Sequence, residues 1–250
     1  MNAILRLARA ELRKLFTTKA LPVSFAVAIA LAIGSVLIDA LVAGKSGSPR
    51  LGTAADVYQM LKFGAIACVV MLIQGILAAG GEFRHRTIIP AMLATPRRAL
   101  VFAVKVVVVA GLGAAFSAVI FGLGLGTAVL TLSAHGIHHL PGGIGSLYAG
   151  TVISSACFAM IGVALGALTR NTIGAIVLAI AWVLFVEQVI LQAVAPSIEK
   201  WLPTGAAIGL TTAPGPGHFL PPVVAGAVLT GYAVVLLAIA SRTTIRRDLA

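Results

Sequence analysis

The chain has 250 residues, of which 60% are hydrophobic and only 10% charged, with a mean hydropathy of +1.07. These values exclude a water-soluble domain, because the apolar residues come in blocks at or above the roughly 20 needed to cross a hydrocarbon core. The formal charge of +11 does not point to nucleic acid. Lys and Arg flank the apolar blocks and form no basic face interleaved with aromatics, so they read as topology signals and as contacts for anionic lipid headgroups.

The predicted fold is all-α and polytopic, one transmembrane domain over 1–250. Six membrane helices are expected at 20–42, 57–80, 100–132, 147–168, 173–194 and 219–241, preceded within 1–19 by an amphipathic interfacial helix. In that first helix Leu5, Ala8, Leu12 and Leu15 repeat at helical spacing while Arg6, Arg9 and Arg13 take another face. The apolar stretch 20–42 exceeds the length of a signal-peptide core and closes on no small-x-small cleavage site, so an uncleaved first crossing is expected. Within it and its successors, Cys68 and Cys157 read as small hydrophobes, with no disulfide framework or zinc spacing.

The connection 44–56 is short and polar. Its Gly44-Lys45-Ser46 imitates the end of a phosphate-binding loop, but residue 39 is Asp where that loop needs glycine. No nucleotide hydrolysis can be built from this chain, and it is not expected to be an enzyme. The segment 81–99 is the richest basic connection. The third apolar block is too long for one perpendicular crossing; its first turns, up to Lys105, are expected at the interface, and Gly111 and Gly113 allow a bend. Small residues at Gly122-x3-Gly126 and Gly162-x3-Gly166 suit close helix approach. His135, His138 and His139 cluster after that block without cysteine or carboxylate neighbours, so no metal site is expected. The stretch 195–218, with Pro196, Pro203, Pro214 and Pro216, is apolar enough to fold back onto the outer membrane face.

Charge asymmetry sets the orientation. Fourteen basic residues (Arg6, Arg9, Arg13, Lys14, Lys19, Arg84, Arg86, Arg97, Arg98, Lys105, Arg170, Arg242, Arg246, Arg247) fall on the side of the termini, against Lys45, Arg50 and Lys200 on the other. Both termini are therefore expected in the cytoplasm. Inside the fifth block lie Glu187 and Gln188, with Gln192 one turn on, and Lys62 lies at comparable depth in the second. An intramembrane ionisable group is a functional candidate. Two compatible readings stand for these residues: a Lys62–Glu187 pair that lowers the cost of both charges, or a polar lining for a translocation path.

The run Gly81-Glu82-Phe83-Arg84-His85-Arg86-Thr87-Ile88, continued by Thr95-Pro96-Arg97-Arg98 and Lys105, resembles a motif of the permease subunits of type 2 ABC transporters, especially small bacterial exporters. There the pattern is roughly Gly-Glu-aromatic-Arg-His-Gly-Thr-Ile, and Arg86 departs from it. Leu168-Thr169-Arg170-Asn171-Thr172 is similar to a second family turn, Leu-x-Arg-Asn-Thr. The resemblance implies a multi-pass subunit of the bacterial plasma membrane that works as a homo- or heterodimer. It implies a separate ATP-binding subunit that carries ATP and Mg, this chain binding no cofactor. Residues Glu82, Phe83, Arg84, His85, Arg86, Thr87, Ile88, Thr95, Pro96, Arg97 and Arg98 would then couple to the ATPase, and the second and fifth helices would line the path. The alternatives are an integral membrane enzyme acting on lipids or peptides, for which no convergent catalytic set is visible, and a non-transporting assembly or immunity subunit.

Overall fold

A computed structural model describes residues 3–42, 58, 60–84, 98–137, 140, 142–191, 196–211 and 219–246. Every regular element among them is helical. The chain opens with α1 (Ala3–Thr17) and α2 (Ala20–Val42). A 3-10 turn, Leu61–Phe63, leads into α3 (Gly64–Arg84), followed by α4 (Arg98–Ala134) and α5 (Ile144–Thr169). Next comes α6 (Thr172–Ala181), which widens into a π-helix at Trp182–Leu191. Two short helices, α7 (Pro196–Glu199) and α8 (Pro203–Thr211), precede α9 (Pro222–Arg246). The last three begin at proline, whose fixed φ and missing N–H suit a first helical position.

Among the described residues, five segments are long and apolar enough to cross a membrane: Ala20–Val42, Leu61–Glu82, Ala99–Ala134, Ile144–Thr169 and Pro222–Thr243. The block expected to cross at 173–194 is apolar but shorter, Thr172–Glu187, with π geometry from Trp182. The third block forms one continuous helix of 37 residues. Its Gly113 does not interrupt the helix; it lets α4 approach the Ser155 carbonyl and Ala159 of α5.

The surface is inverted relative to a soluble protein. Leu31, Val107, Leu130, Ile173, Val223 and Val235 are exposed, whereas Glu11, Gln74, Lys105, Ser154, Ser155 and Glu187 are buried. That distribution is the one a hydrocarbon solvent favours, since polar groups must find partners inside the protein.

The centre of the bundle is the α3–α5 pair, its most extensive contact among the described residues. Glycine makes it possible. A Cβ on Gly75 would stand 2.2 Å from the Ala159 carbonyl, and one on Gly162 2.2 Å from the Leu72 carbonyl. A Cβ on Gly166 would stand 2.6 Å from the Ile76 carbonyl oxygen and 2.9 Å from the Gly80 nitrogen. At the other small-residue pair, a Cβ on Gly122 or Gly126 would meet nothing within 4 Å.

Contacts gather the helix ends into two layers. At one end α1 meets the end of α3 and the start of α4, Gln74 of α3 donates to the Ala20 carbonyl and Ser24 at the start of α2, and Gly80 touches Thr172 at the start of α6. At the other, Gly64 of α3 meets Thr151 of α5, Gly124 of α4 meets Phe63, Tyr58 donates to the Gly142 carbonyl, and α8 packs on Gly150. The principal helices thus alternate in direction.

The turn between α5 and α6 has a legible local cause. Arg170 adopts φ 51°, the left-handed conformation that ends a helix, and Asn171 then caps the next one by accepting from the Gly174 N–H at 3.1 Å. The motif Thr169-Arg170-Asn171-Thr172 is therefore a helix stop followed at once by a helix start.

Candidate functional site

Two polar sites stand out in this apolar bundle. The first binds α1 to the helices beside it. The ammonium of Lys105 lies 2.8 Å from Glu11 and 2.7 Å from Glu82, and Lys14 lies 2.6 Å from the same Glu11 and 3.0 Å from the same Glu82. Two carboxylates and two ammoniums thus close a ring across α1, α3 and α4. Glu11 and Lys105 are only 6% and 5% exposed. Lys105 also donates to the Ala78 carbonyl at 3.4 Å. Burial pushes the Glu11 carboxyl up, but Lys105 and Lys14 outweigh it and hold the group below the ordinary carboxylate range. Burial likewise opposes the charge on Lys14, yet Glu11 and Glu82 raise it above an ordinary lysine.

The ring orients α1. Its Glu11 side turns toward the bundle, and Ile4, Leu5, Leu12 and Phe16 are left exposed. Beside them Arg6, Arg9, Arg13 and Lys14 line a shallow groove of about 560 Å³. An apolar edge next to a basic one is the pattern of a helix lying along a membrane surface.

Of the residues proposed to couple to a partner, Glu82 is thus built into the ring. His85, Arg86, Thr87, Ile88, Thr95, Pro96 and Arg97 lie outside the described residues, as do the side chains of Phe83, Arg84 and Arg98. What the structure fixes is the frame of that segment: it leaves from the end of α3 and returns at the start of α4, the two helices that Glu82 and Lys105 tie together.

The second site surrounds Glu187. Its side chain is 0% exposed, and its Oε2 accepts the backbone N–H of Thr204 at 2.8 Å, at the start of α8. A carboxylate there caps α8 and meets the positive end of its dipole. The pairing of Lys62 with Glu187 is not formed. Lys62 sits in the 3-10 turn before α3, exposed, with its charge acting on Asp39 of α2. The reason is that α8 folds back into the bundle, with Gly205, Ala206, Ala207, Gly209 and Leu210 buried, and its Thr204 N–H supplies the partner that matching depth had assigned to Lys62. Gln192 and the side chain of Gln188 lie outside the described residues.

Glu187 also lines a cavity of about 460 Å³ between α3, α5, the α6–π segment and α9, walled by Leu72, Phe158, Leu178, Trp182 and Tyr232. Its other oxygen, Oε1, has no hydrogen-bond partner, and neither has the hydroxyl of Thr204 beside it. Among the described residues no group of His, Cys, Asp and Glu could hold a metal. His135 bonds the Thr131 carbonyl through Nδ1 at 2.7 Å, and His138 and His139 lie outside the described residues.

Four residues that matter here carry a weak sequence signal. Glu11 and Lys14 are spaced i, i+3 on one helix, and Gln74 is a lone polar residue in an apolar block. Thr204 shows only as the second residue of a proline-led helix. The chain matches no known family model and no curated protein.

Proposed function

We propose that the chain is the membrane subunit of an ATP-driven exporter of the type 2 ABC kind, working with a separate ATP-binding subunit and a second permease subunit. The segment 173–194 serves as the sixth crossing, both termini face the cytoplasm, and α1 lies in the inner interface of a bacterial plasma membrane. The observation that carries this reading is the ring of Glu11, Lys14, Glu82 and Lys105. It locks the interfacial helix to the two helices that flank segment 85–97, so a force applied to that segment is delivered to α3 and α4 as one body. Support also comes from the Gly81–Ile88 motif and from the fourteen-to-three distribution of basic residues. ATP-driven closure of the partner would shift the equilibrium between inward-open and outward-open arrangements of the bundle.

The test avoids Glu82, since its loss would break the ring itself. Reversing charge in the loop with Arg86→Glu and Arg97→Glu is expected to release the ATP-binding subunit while leaving the melting temperature of the permease unchanged. Undiminished co-purification with undiminished ATP-dependent efflux would overturn the assignment.

A further inference from the structure

The cavity beside Glu187 combines three properties that seldom coincide. It is almost wholly apolar, its rim includes exposed residues, and it is lined by Glu187, one of whose carboxyl oxygens is buried without a hydrogen-bond partner. The floor residues Leu72 and Phe158 are buried, while the rim residue Leu178 is 61% exposed and Trp182 is half exposed on the lipid-facing surface. A solute dissolved in the bilayer would therefore enter between α6 and α9 without crossing water. A volume of about 460 Å³ falls in the range of roughly 300–1,000 Å³ usual for small-molecule sites.

An unsatisfied buried carboxyl oxygen is costly, and such groups in native proteins call for an explanation. Here Thr204 fixes Oε2, which aims the carboxyl and leaves Oε1 free. None of the salt bridges formed by the described lysines reaches Glu187. Among the described residues no lysine therefore neutralises the Glu187 carboxyl through a salt bridge, and the Trp182 ring at the rim is an aromatic face able to hold a cation.

We propose that this cavity binds an apolar organic monocation drawn from the bilayer, with its charge against Oε1 of Glu187 and its hydrophobic body between α5, α6 and α9. As the substrate site of a pump the cavity rests on the exporter reading, but binding itself requires no ATPase.

The experiment uses the full-length protein in nanodiscs of zwitterionic phospholipid, with empty nanodiscs subtracted. Equilibrium dialysis compares tetraphenylphosphonium with tetraphenylborate, ions of matching size and opposite sign. Saturable binding of the cation, and none of the anion, is expected. Glu187→Gln keeps an amide oxygen for the Thr204 N–H and should weaken cation binding at least about tenfold with unchanged melting. Ala179→Phe, filling the cavity at a lining position away from the carboxylate, should abolish it. Absence of saturable cation binding, equal binding of the borate, or undiminished binding by Glu187→Gln would overturn the proposal. Should Glu187→Gln fail to fold, cation binding retained by Ala179→Phe would overturn it alone. A cation bound tightly by a chain that brings down no ATPase would instead count against the exporter reading, and a chain that brings down an ATPase but binds no cation would count against the cavity.

Discussion

Lys105 reaches from the second turn of the longest helix to Glu11 of the N-terminal helix, 2.8 Å apart, and both side chains are nearly dry. A charge so placed is held by its partners, and removing one partner from a buried pair typically costs about 3–5 kcal/mol. Lys105→Met should therefore lower stability by roughly 3 kcal/mol, measured by thermal or denaturant unfolding in a fixed detergent. In a double-mutant cycle with Glu11→Gln the two changes should couple by more than about 1 kcal/mol. Additive effects would mean that the contact contributes nothing of its own.

The same ring gives a pH dependence whose sign is determined. The folded state holds Glu11 below its ordinary carboxyl value, so its contribution to stability is present above that value and is lost as pH falls through the lowered one. Lys14 is raised, so its share persists below the ordinary lysine value and disappears only as pH climbs past it. The melting-temperature advantage of the wild type over Glu11→Gln should be constant near neutrality and shrink below about pH 4. An advantage that grew in acid would contradict the ring.

Helix packing offers a cleaner contrast. At Gly162 an added methyl would strike the Leu72 backbone carbonyl, which cannot rotate aside, whereas at Gly126 it meets nothing. Gly162→Ala should cost about 1–3 kcal/mol or more by forced backbone separation. Gly126→Ala should be neutral or slightly stabilising, since alanine favours helix by up to about 1 kcal/mol. Equal effects at the two sites, read by thermal unfolding, would mean that α3 and α5 do not pack through these glycines.

Much of the fold could be read from block length alone, because each crossing needs its own apolar run and five of the six expected blocks form long helices. The turn at Arg170–Asn171 was also legible, being a local matter of one left-handed residue and one capping side chain. The ring was not. Lys105 and Glu11 are 94 residues apart in sequence, and nothing in a one-dimensional pattern says that they meet. The Lys62–Glu187 pairing failed for a related reason. It matched depths along two regular helices, but Glu187 stands in a π-helical segment and its partner arrives from α8, a short helix that doubles back into the bundle. Depth along a helix limits which residues can meet; it does not say which ones do.

Orientation can be checked without any partner. In a background of Cys68→Ser and Cys157→Ser, single cysteines at Ser46 or His138 should react with a membrane-impermeant thiol reagent in intact cells, and one at Thr244 should not. The opposite labelling pattern would invert the bundle and place the ring of Glu11, Lys14, Glu82 and Lys105 outside.

Affinity purification of the wild-type chain from its own cell membranes in mild detergent shows whether it grips a separate ATPase, as proposed. The expected result is a nucleotide-binding subunit in near-stoichiometric amount, vanadate-sensitive ATP hydrolysis by the complex, and loss of both in the Arg86→Glu, Arg97→Glu variant. A well-folded, correctly oriented chain that brings down no ATP-binding protein and supports no hydrolysis would contradict the proposed function.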